Sequence, residues 1–437
     1  MKRIVIGLIL VLVATWTLGR SVISQAAGPS DGYTFTVMVG GDIACDPQSV
    51  HFSGGAGDKQ QCHELATSDL VLASHPDAVL ALGDNQYEEA TLAQHLASYD
   101  PSWGRFKSIT VPAAGNHEYV TPGAAGFFAY FGAAAAPRSN GYQSFDVGGW
   151  HFIALNSNCT FVGGCDAGST QERWLLSDLA AHRNTCTVAY WHHPRFTSGT
   201  NLNHPEMGAI WDDLYAEGAD MVLNGHDHDF ERFAAQTPNQ QLDPRRGIRE
   251  FIVGTGGRSH GKLFGTQANS EVFDGTTYGV MKLTLHADSY DWQFLPDTQA
   301  GNGKFTDKGS DSCHGTAPGT ENGSGPRAIP VVTTERPGSV IARFTVDFTS
   351  NKPGQSQVLF GPGPGCSGLV MTATGDQGVG STHHVFIVTG NDLSGAVGDT
   401  GITPGATYSY ETVTMTTSGR EVDDNGGKCY TVTIPKA

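Results

Sequence analysis

The stretch Asn224-Gly225-His226-Asp227-His228 closes the apolar run Asp220 to Leu223. A GHxH element at the end of a strand sets two imidazoles on one short loop. Separated by one residue, both rings can face the same side, with Asp227 turned outward, and each can bind a separate metal ion. A histidine pair alone also fits a hydrogen-bonded surface pair. Four other apolar runs, however, end in the same way, with a metal-ligand residue at their last position or just beyond. They are Thr34 to Val39 before Gly41-Asp42, Ala78 to Leu82 before Gly83-Asp84-Asn85-Gln86-Tyr87, Ile109 to Ala114 before Gly115-Asn116-His117-Glu118, and Thr187 to Trp191 before His192-His193-Pro194. Between these runs lie the helical patterns Glu64 to Ala73, Glu88 to Ala97, Gln171 to Ala181 and Glu206 to Glu217. Strands alternating with helices imply a sheet with helical crossovers, where ligands bind at the carboxyl ends of the strands.

Past Asp243-Pro244 the sequence becomes strand-rich, through Glu250 to Gly254, Val280 to Leu285 and Tyr290 to Phe294, so the sheet layer is expected to continue antiparallel. Thr298 to Pro326 is dense in Gly, Ser, Asp and Thr and reads as a linker, part of it tied down by Cys313. From Ala328 onward every apolar run is short and β-type, which is the pattern of a β-sandwich. At 437 residues, two domains are expected. The boundaries drawn are a signal segment over 1–27, a catalytic domain over 28–300, a linker over 301–327 and the sandwich over 328–437.

Glycine is abundant at 57 residues and charged residues make up only 16%, a balance suited to a loop-rich exported protein. Met1-Lys2-Arg3, the apolar Ile4 to Leu18 and Ser24-Gln25-Ala26-Ala27 form a secretory signal pattern, for a chain that is extracellular or periplasmic. The alternative, an uncleaved anchor, would need a longer apolar run. The formal net charge is −17, and loss of the signal would remove Lys2, Arg3 and Arg20 but no acids. So acidic a surface repels nucleic acid and leaves any phosphate-bearing substrate to be drawn in by local cations. The eight cysteines suit disulfides in an exported chain. Cys45 with Cys62 and Cys366 with Cys429 are favoured because each pair stays within one local unit. Three connectivities remain for Cys159, Cys165, Cys186 and Cys313, with 159–165 and 186–313 preferred.

Among the motifs, Asp42 and Asp84 are carboxylates at two strand ends, and a carboxylate can bridge two cations whose mutual repulsion needs an intervening anion. Tyr87 completes a GDxxY pattern, although an isolated tyrosine there would ordinarily be a buried aromatic. Asn116 is a neutral ligand within GNHE; by itself it would be a turn-forming amide. In Trp191-His192-His193-Pro194 spacing alone does not decide which imidazole faces inward.

The ordered set GD, GDxxY, GNHE, an apolar run ending in His, and GHxH followed by Glu231-Arg232 resembles the calcineurin-like metallophosphoesterases, and within them the purple acid phosphatases, over roughly residues 33 to 300. Tyr87 carries the likeness to the latter branch, where a tyrosinate binds a ferric ion. The resemblance implies a four-layer α/β/β/α metallophosphoesterase sandwich. It places Asp42, Asp84, Tyr87 and His228 on one metal and Asp84, Asn116, His192 and His226 on the other. His192 takes precedence over His193 because the family's HxP sets the ligand two residues before the proline. His117 would contact the phosphate and protonate the leaving group, and His204 is a further candidate catalytic histidine. The implied cofactors are two metal ions, Fe(III) at the Tyr87 site with Fe(II), Zn or Mn at the second.

The tail segment Gly401 to Thr412 resembles the late strands of fibronectin type III domains, although in the plant enzymes such a domain precedes the catalytic one. The expected function is that of a secreted dinuclear-metal phosphoric ester hydrolase, an acid phosphatase acting on small phosphomonoesters through a metal-activated water. Alternatives are a phosphodiesterase or nucleotide-processing hydrolase on the same centre, or a binding protein that contacts a wall polymer or another protein through the C-terminal sandwich.

Overall fold

The computed structural model describes residues 34–136, 140–147, 149–182, 186–298 and 304–314, and in the tail 327–336, 339–363, 369–371, 381–388, 402–416, 419–423 and 429–434. The expected signal segment and Cys366 lie outside them.

The fold is mixed α/β, built on two sheets. The first contains β1 (Phe35–Gly40), β2 (Ala78–Leu82), β3 (Thr110–Ala113), β11 (Gly279–Leu285), β12 (Ser289–Pro296) and β13 (Lys308–Ser312), in the order β13-β12-β11-β1-β2-β3. The second contains β4 (Gln143–Val147), β5 (Trp150–Ala154), β6 (Cys186–Tyr190), β7 (Met221–Asn224), β8 (Phe230–Phe233), β9 (Arg249–Val253) and β10 (Ser270–Asp274), ordered β10-β8-β9-β7-β6-β5-β4. β1, β2 and β3 run parallel, as do β5, β6, β7 and β9. Of the strands expected to continue antiparallel, the first, β9, instead joins β7 in parallel register and only β8 in antiparallel, because it follows β8 as the crossover partner of β7; the strands after it pair antiparallel, as expected.

Side-chain alternation explains why the strands read as nearly unbroken apolar runs: each sheet is buried on both faces. Val37, Val39, Leu80 and Leu82 of the first sheet share a core with Phe152, Val188, Leu223 and Phe251 of the second. Their neighbours Met38, Val79 and Ala81 point the other way, onto Val71 of the helix Glu64–Ala73 and Phe127 of the helix Ala125–Phe131. Ile153, Ala189, Val222 and Ile252 pack outward onto Leu175 and Leu179 of the helix Thr170–Ala181 and Trp211 of the helix Gly208–Ala216.

Several elements depart from the sequence reading. The expected helix over 88–97 starts only at Leu92, because Thr91 accepts the Gln94 amide and Gln94 returns a bond to the Thr91 amide, a reciprocal cap. β4, β5, β8 and β10 were not anticipated. His151 interrupts the apolar run of β5, yet it is fully buried between Asp146 (2.7 Å) and Asp178 (2.9 Å). Within the stretch expected as a linker, β13 pairs with β12 as an edge strand. The disulfides Cys45–Cys62, Cys159–Cys165 and Cys186–Cys313 are those preferred from sequence.

In the tail, β14 (Arg327–Arg336), β15 (Ser339–Pro362), β16 (Val370–Met371), β17 (Ser381–Val388), β18 (Thr407–Thr416), β19 (Gly419–Asp423) and β20 (Tyr430–Thr433) form one antiparallel set. The long β15 pairs with β14 and β17 through its first half and with β16 and β18 through its second. Val346, Val358, Phe360, Tyr408 and Val432 make a small core. No helix among the described residues is long and apolar enough to cross a membrane.

Candidate metal centre

Because β1, β2 and β3 are parallel in one sheet and β6 and β7 in the other, their carboxyl ends deliver five loops to one place. The loops need unusual backbone to do so. Asp42, Asp84 and His226 all take positive φ (58°, 43° and 73°), a region that L-residues occupy only when their surroundings hold them there. The preceding glycines make room: a Cβ on Gly225 would come within 2.6 Å of Asp42 Oδ2, and one on Gly115 would overlap the Asp84 carboxylate and amide.

The seven candidate ligands converge in two overlapping clusters. In one, the Tyr87 hydroxyl lies 2.8 Å from Asp42 Oδ1, 3.1 Å from Asp84 Oδ2 and 3.1 Å from His228 Nε2. In the other, His192 Nε2 lies 3.2 Å from Asp84 Oδ2, 3.1 Å from Asn116 Oδ1 and 3.2 Å from His226 Nδ1. Asp84 Oδ2 belongs to both clusters, while Asp84 Oδ1 accepts the His117 amide. Spacings near 3 Å are those between adjacent ligands about 2.1 Å from a shared cation.

The protonation pattern also fits a cation. The Nδ1–H of His192 donates to the Leu82 carbonyl at 2.9 Å, which turns the lone pair on Nε2 toward an amide oxygen, a carboxylate and another imidazole. His228 is oriented likewise by Ser259 Oγ, 2.6 Å from its Nδ1. In the metal-free protein the charges lean on one another. Burial would lower the His192 ring, but Asp84 and Asp42 raise it to about 9. His226 falls to about 2, through burial and then the charge on His192. Tyr87 is pushed well up by burial and by Asp42 and Asp84; a cation at the same place would reverse those influences.

His193 engages Ser157 Oγ through Nδ1 at 2.8 Å while its ring stays against His226 (4.4 Å between centroids), so both adjacent imidazoles border the site, and it is His192 that reaches Asp84 and Asn116. Asp227 does point away from the ligands, but it is buried rather than facing solvent. It accepts from Thr197 Oγ at 2.7 Å and the Asn201 amide at 3.0 Å, pinning the loop beside the site. His117 packs at a tilt against Tyr87 (4.3 Å between centroids, 53° between planes) and donates Nδ1–H to the Glu88 carbonyl, leaving Nε2 3.9 Å from Asp84 Oδ2. His204 packs against His226 (5.1 Å) and His193 (4.6 Å), with Nδ1 2.8 Å from Glu206 Oε1 and a buried Nε2 that has no hydrogen-bond partner among the described residues.

Two residues had no role in the sequence reading. Glu118, fully buried, accepts the amides of Asp84 (3.0 Å), Asn85 (2.8 Å) and Gly115 (2.6 Å), strapping two ligand loops together. Burial and then Asp84 push its carboxyl up to about 7. The GNHE motif contained this glutamate but no hint of what it holds. Arg258 lines an open cavity of about 380 Å³ above the ligands, together with Tyr87, Glu88, Asn116, His117 and His228. It sits in a loop after β9 that carried no recognised motif.

Residues 36–230 match the family model described as calcineurin-like phosphoesterase. Purple acid phosphatase 15 of Arabidopsis thaliana is 32% identical over 228 residues, covering 44% of this chain and 42% of that protein. Purple acid phosphatase 23 of the same plant is 28% identical over 251 residues, covering 48% and 53%. The chain thus spans about half the length of these relatives. Among solved structures, purple acid phosphatase PPD1 from yellow lupin seeds superposes with a TM-score of 0.52 at 18% identity, covering 65% of this chain and 54% of that one, which establishes a shared fold. All five ligand-bearing strand ends fall within the span that matches the calcineurin-like phosphoesterase model, and purple acid phosphatases are among the proteins this part of the chain is similar to.

Proposed function

We propose that this chain is an exported phosphoric ester hydrolase with a dinuclear metal centre, acting on small phosphomonoesters in the manner of an acid phosphatase. The observation that carries the reading is the pair of donor clusters sharing Asp84 Oδ2 at the floor of an open cavity beside His117. Asp42, Tyr87 and His228 would complete one metal site and Asn116, His192 and His226 the other. The tyrosine, a hard anionic donor once deprotonated, suits Fe(III), with Fe(II), Zn or Mn at the second position. Two such ions supply positive charge to an attacking water and to the phosphate oxygens.

The chain's own residues would do the rest. His117, fixed through Nδ1, presents Nε2 to the cavity, where a proton there passes to the ester oxygen as it leaves with its bonding pair. His204 would offer its unpartnered Nε2 as a second imidazole for the phosphate. The catalytic unit is taken as the two-sheet body and the tail as a fibronectin type III-like sandwich; the bend of pairing partners along β15 is compatible with two packed layers. A wall or protein contact would fall to that tail.

The test compares Asp84→Ala with His117→Ala, measuring bound metal and hydrolysis of an aryl phosphate monoester below neutral pH. The first is expected to lose metal and activity together, and the second to keep metal and lose turnover. Full activity in either would overturn the assignment. With iron bound, Tyr87→Phe is expected to lose the visible absorption band.

A further inference from the structure

The cavity walls contain one lysine or arginine among the described residues, Arg258. Its guanidinium carbon lies 5.1 Å from the Tyr87 ring centroid, on the side of the cluster formed by Asp42, Tyr87 and His228. Two neighbours aim it: Glu88 Oε1 takes one terminal nitrogen and Gln61 Oε1 the other, while the Arg258 amide donates to the Asp42 carbonyl at 3.0 Å. Each terminal nitrogen keeps a second N–H. The buried Nε has no partner among the described residues. The arginine side chain is 21% exposed and that of Glu88 43%, and an ion pair so open to water stabilises a fold little. Its position is better explained by what enters the cavity.

We infer that Arg258 selects phosphomonoesters over diesters, by meeting the charged terminal oxygen that a diester carries as a second ester link. The inference rests on the phosphatase reading above and narrows its substrate class. A monoester, whose second ionisation lies near pH 6, keeps a non-esterified oxygen that gains up to one further negative charge as pH rises through that value, which a diester cannot. The ions proposed for the cavity floor would take some of the phosphate oxygens, and for the oxygen they leave Arg258 is the lysine or arginine that the cavity wall offers among the described residues. A planar guanidinium held from behind by Glu88 and Gln61 can give two N–H bonds to such an oxygen, and such charge-assisted bonds are the strong ones. Toward an esterified oxygen, neutral and carrying a substituent, the same group has little to offer. Arg258 is thus a specificity residue, and Glu88 its positioning partner.

The experiment measures kcat/KM of the metal-loaded protein on an aryl phosphate monoester and the matching diester, and inhibition by inorganic phosphate, for wild type, Arg258→Gln and Arg258→Lys. Metal content and melting temperature are recorded in parallel. Arg258→Gln is expected to lower monoester kcat/KM by about 10- to 100-fold, to weaken phosphate inhibition similarly and to change diester hydrolysis by less than about threefold. Arg258→Lys, which keeps the charge without the fork, is expected to lie between, and it carries the test if the glutamine variant does not fold. Equal losses on both esters, or no loss on the monoester, would overturn the role of Arg258 and leave the hydrolase reading standing. A metal-loaded wild type that cleaves neither ester would overturn both.

Discussion

Glu118 is the residue whose replacement by its isosteric amide should reveal how the two ligand loops are held. Its Oε2 takes the amides of Asp84 and Gly115 and its Oε1 that of Asn85. In Glu118→Gln one of the two oxygens becomes an NH2 group that faces N–H donors. Even the better amide orientation leaves the Asn85 amide buried without a partner and, above about pH 7 where the carboxyl is ionised, removes the charge that strengthened the other two bonds. A buried donor left unmade costs about 1 to 3 kcal/mol, so with the weakened pair the loss should be about 2 to 4 kcal/mol. For a two-sheet body of this size that corresponds to a fall in melting temperature of about 5 to 15 °C. The same loosening should weaken metal binding by about 10- to 100-fold, the usual consequence of removing a group that orients ligands. Thermal melting of the metal-free protein and zinc titration by competition with a chelator read the two effects separately. A variant that melts within about 2 °C of wild type and binds zinc within about threefold would show that the carboxylate is not the strap, and that the loops hold their positive-φ geometry by other means.

Two further outcomes follow from features away from the metal centre. Burial alone would depress the His151 ring, but Asp178 and then Asp146 raise it above the ordinary histidine range, with His182 stacked alongside at 4.5 Å. A raised folded pKa stabilises fully below the unfolded value of about 6.5 and loses that contribution as pH climbs through the raised value. Wild type should therefore lose more stability than His151→Phe as pH climbs above about 6.5 in paired denaturant titrations, and parallel curves would refute the charged state. Cys186 and Cys313 are separated by 127 residues, so replacing both by serine should cost about 3 to 5 kcal/mol through the freed unfolded chain, read as a lower urea midpoint. An unchanged midpoint would argue against that constraint.

The legible part of this protein was the part whose chemistry restricts residue type. Asp42, Asp84, Asn116, His192 and His226 each terminate an apolar run, and five strand ends carrying ligands can meet only if the strands are parallel and share one edge. Cys45–Cys62 was legible because it stays within one local unit, whereas the sequence left three connectivities open for Cys159, Cys165, Cys186 and Cys313. What could not be read depends on distance in the chain. Arg258 and Ser259 reach the site from a loop whose local composition is ordinary. β5 was hidden by His151, a polar residue inside a buried strand that becomes acceptable only once Asp146 and Asp178 fold over it. Asp227 looked like a solvent residue because alternation says only that it points away from the ligands, not that another loop waits there.

The Cys186–Cys313 bond joins the start of β6 to the residue following β13, and β13 runs antiparallel to β1 in its sheet. It therefore ties the two sheets at the end opposite the ligand loops, where Asp84 faces His192 across the gap. The two sheets are thus joined at both ends, covalently at one and through facing ligand side chains at the other, so an ion held between Asp84 and His192 would bridge two layers whose far ends are already stitched together.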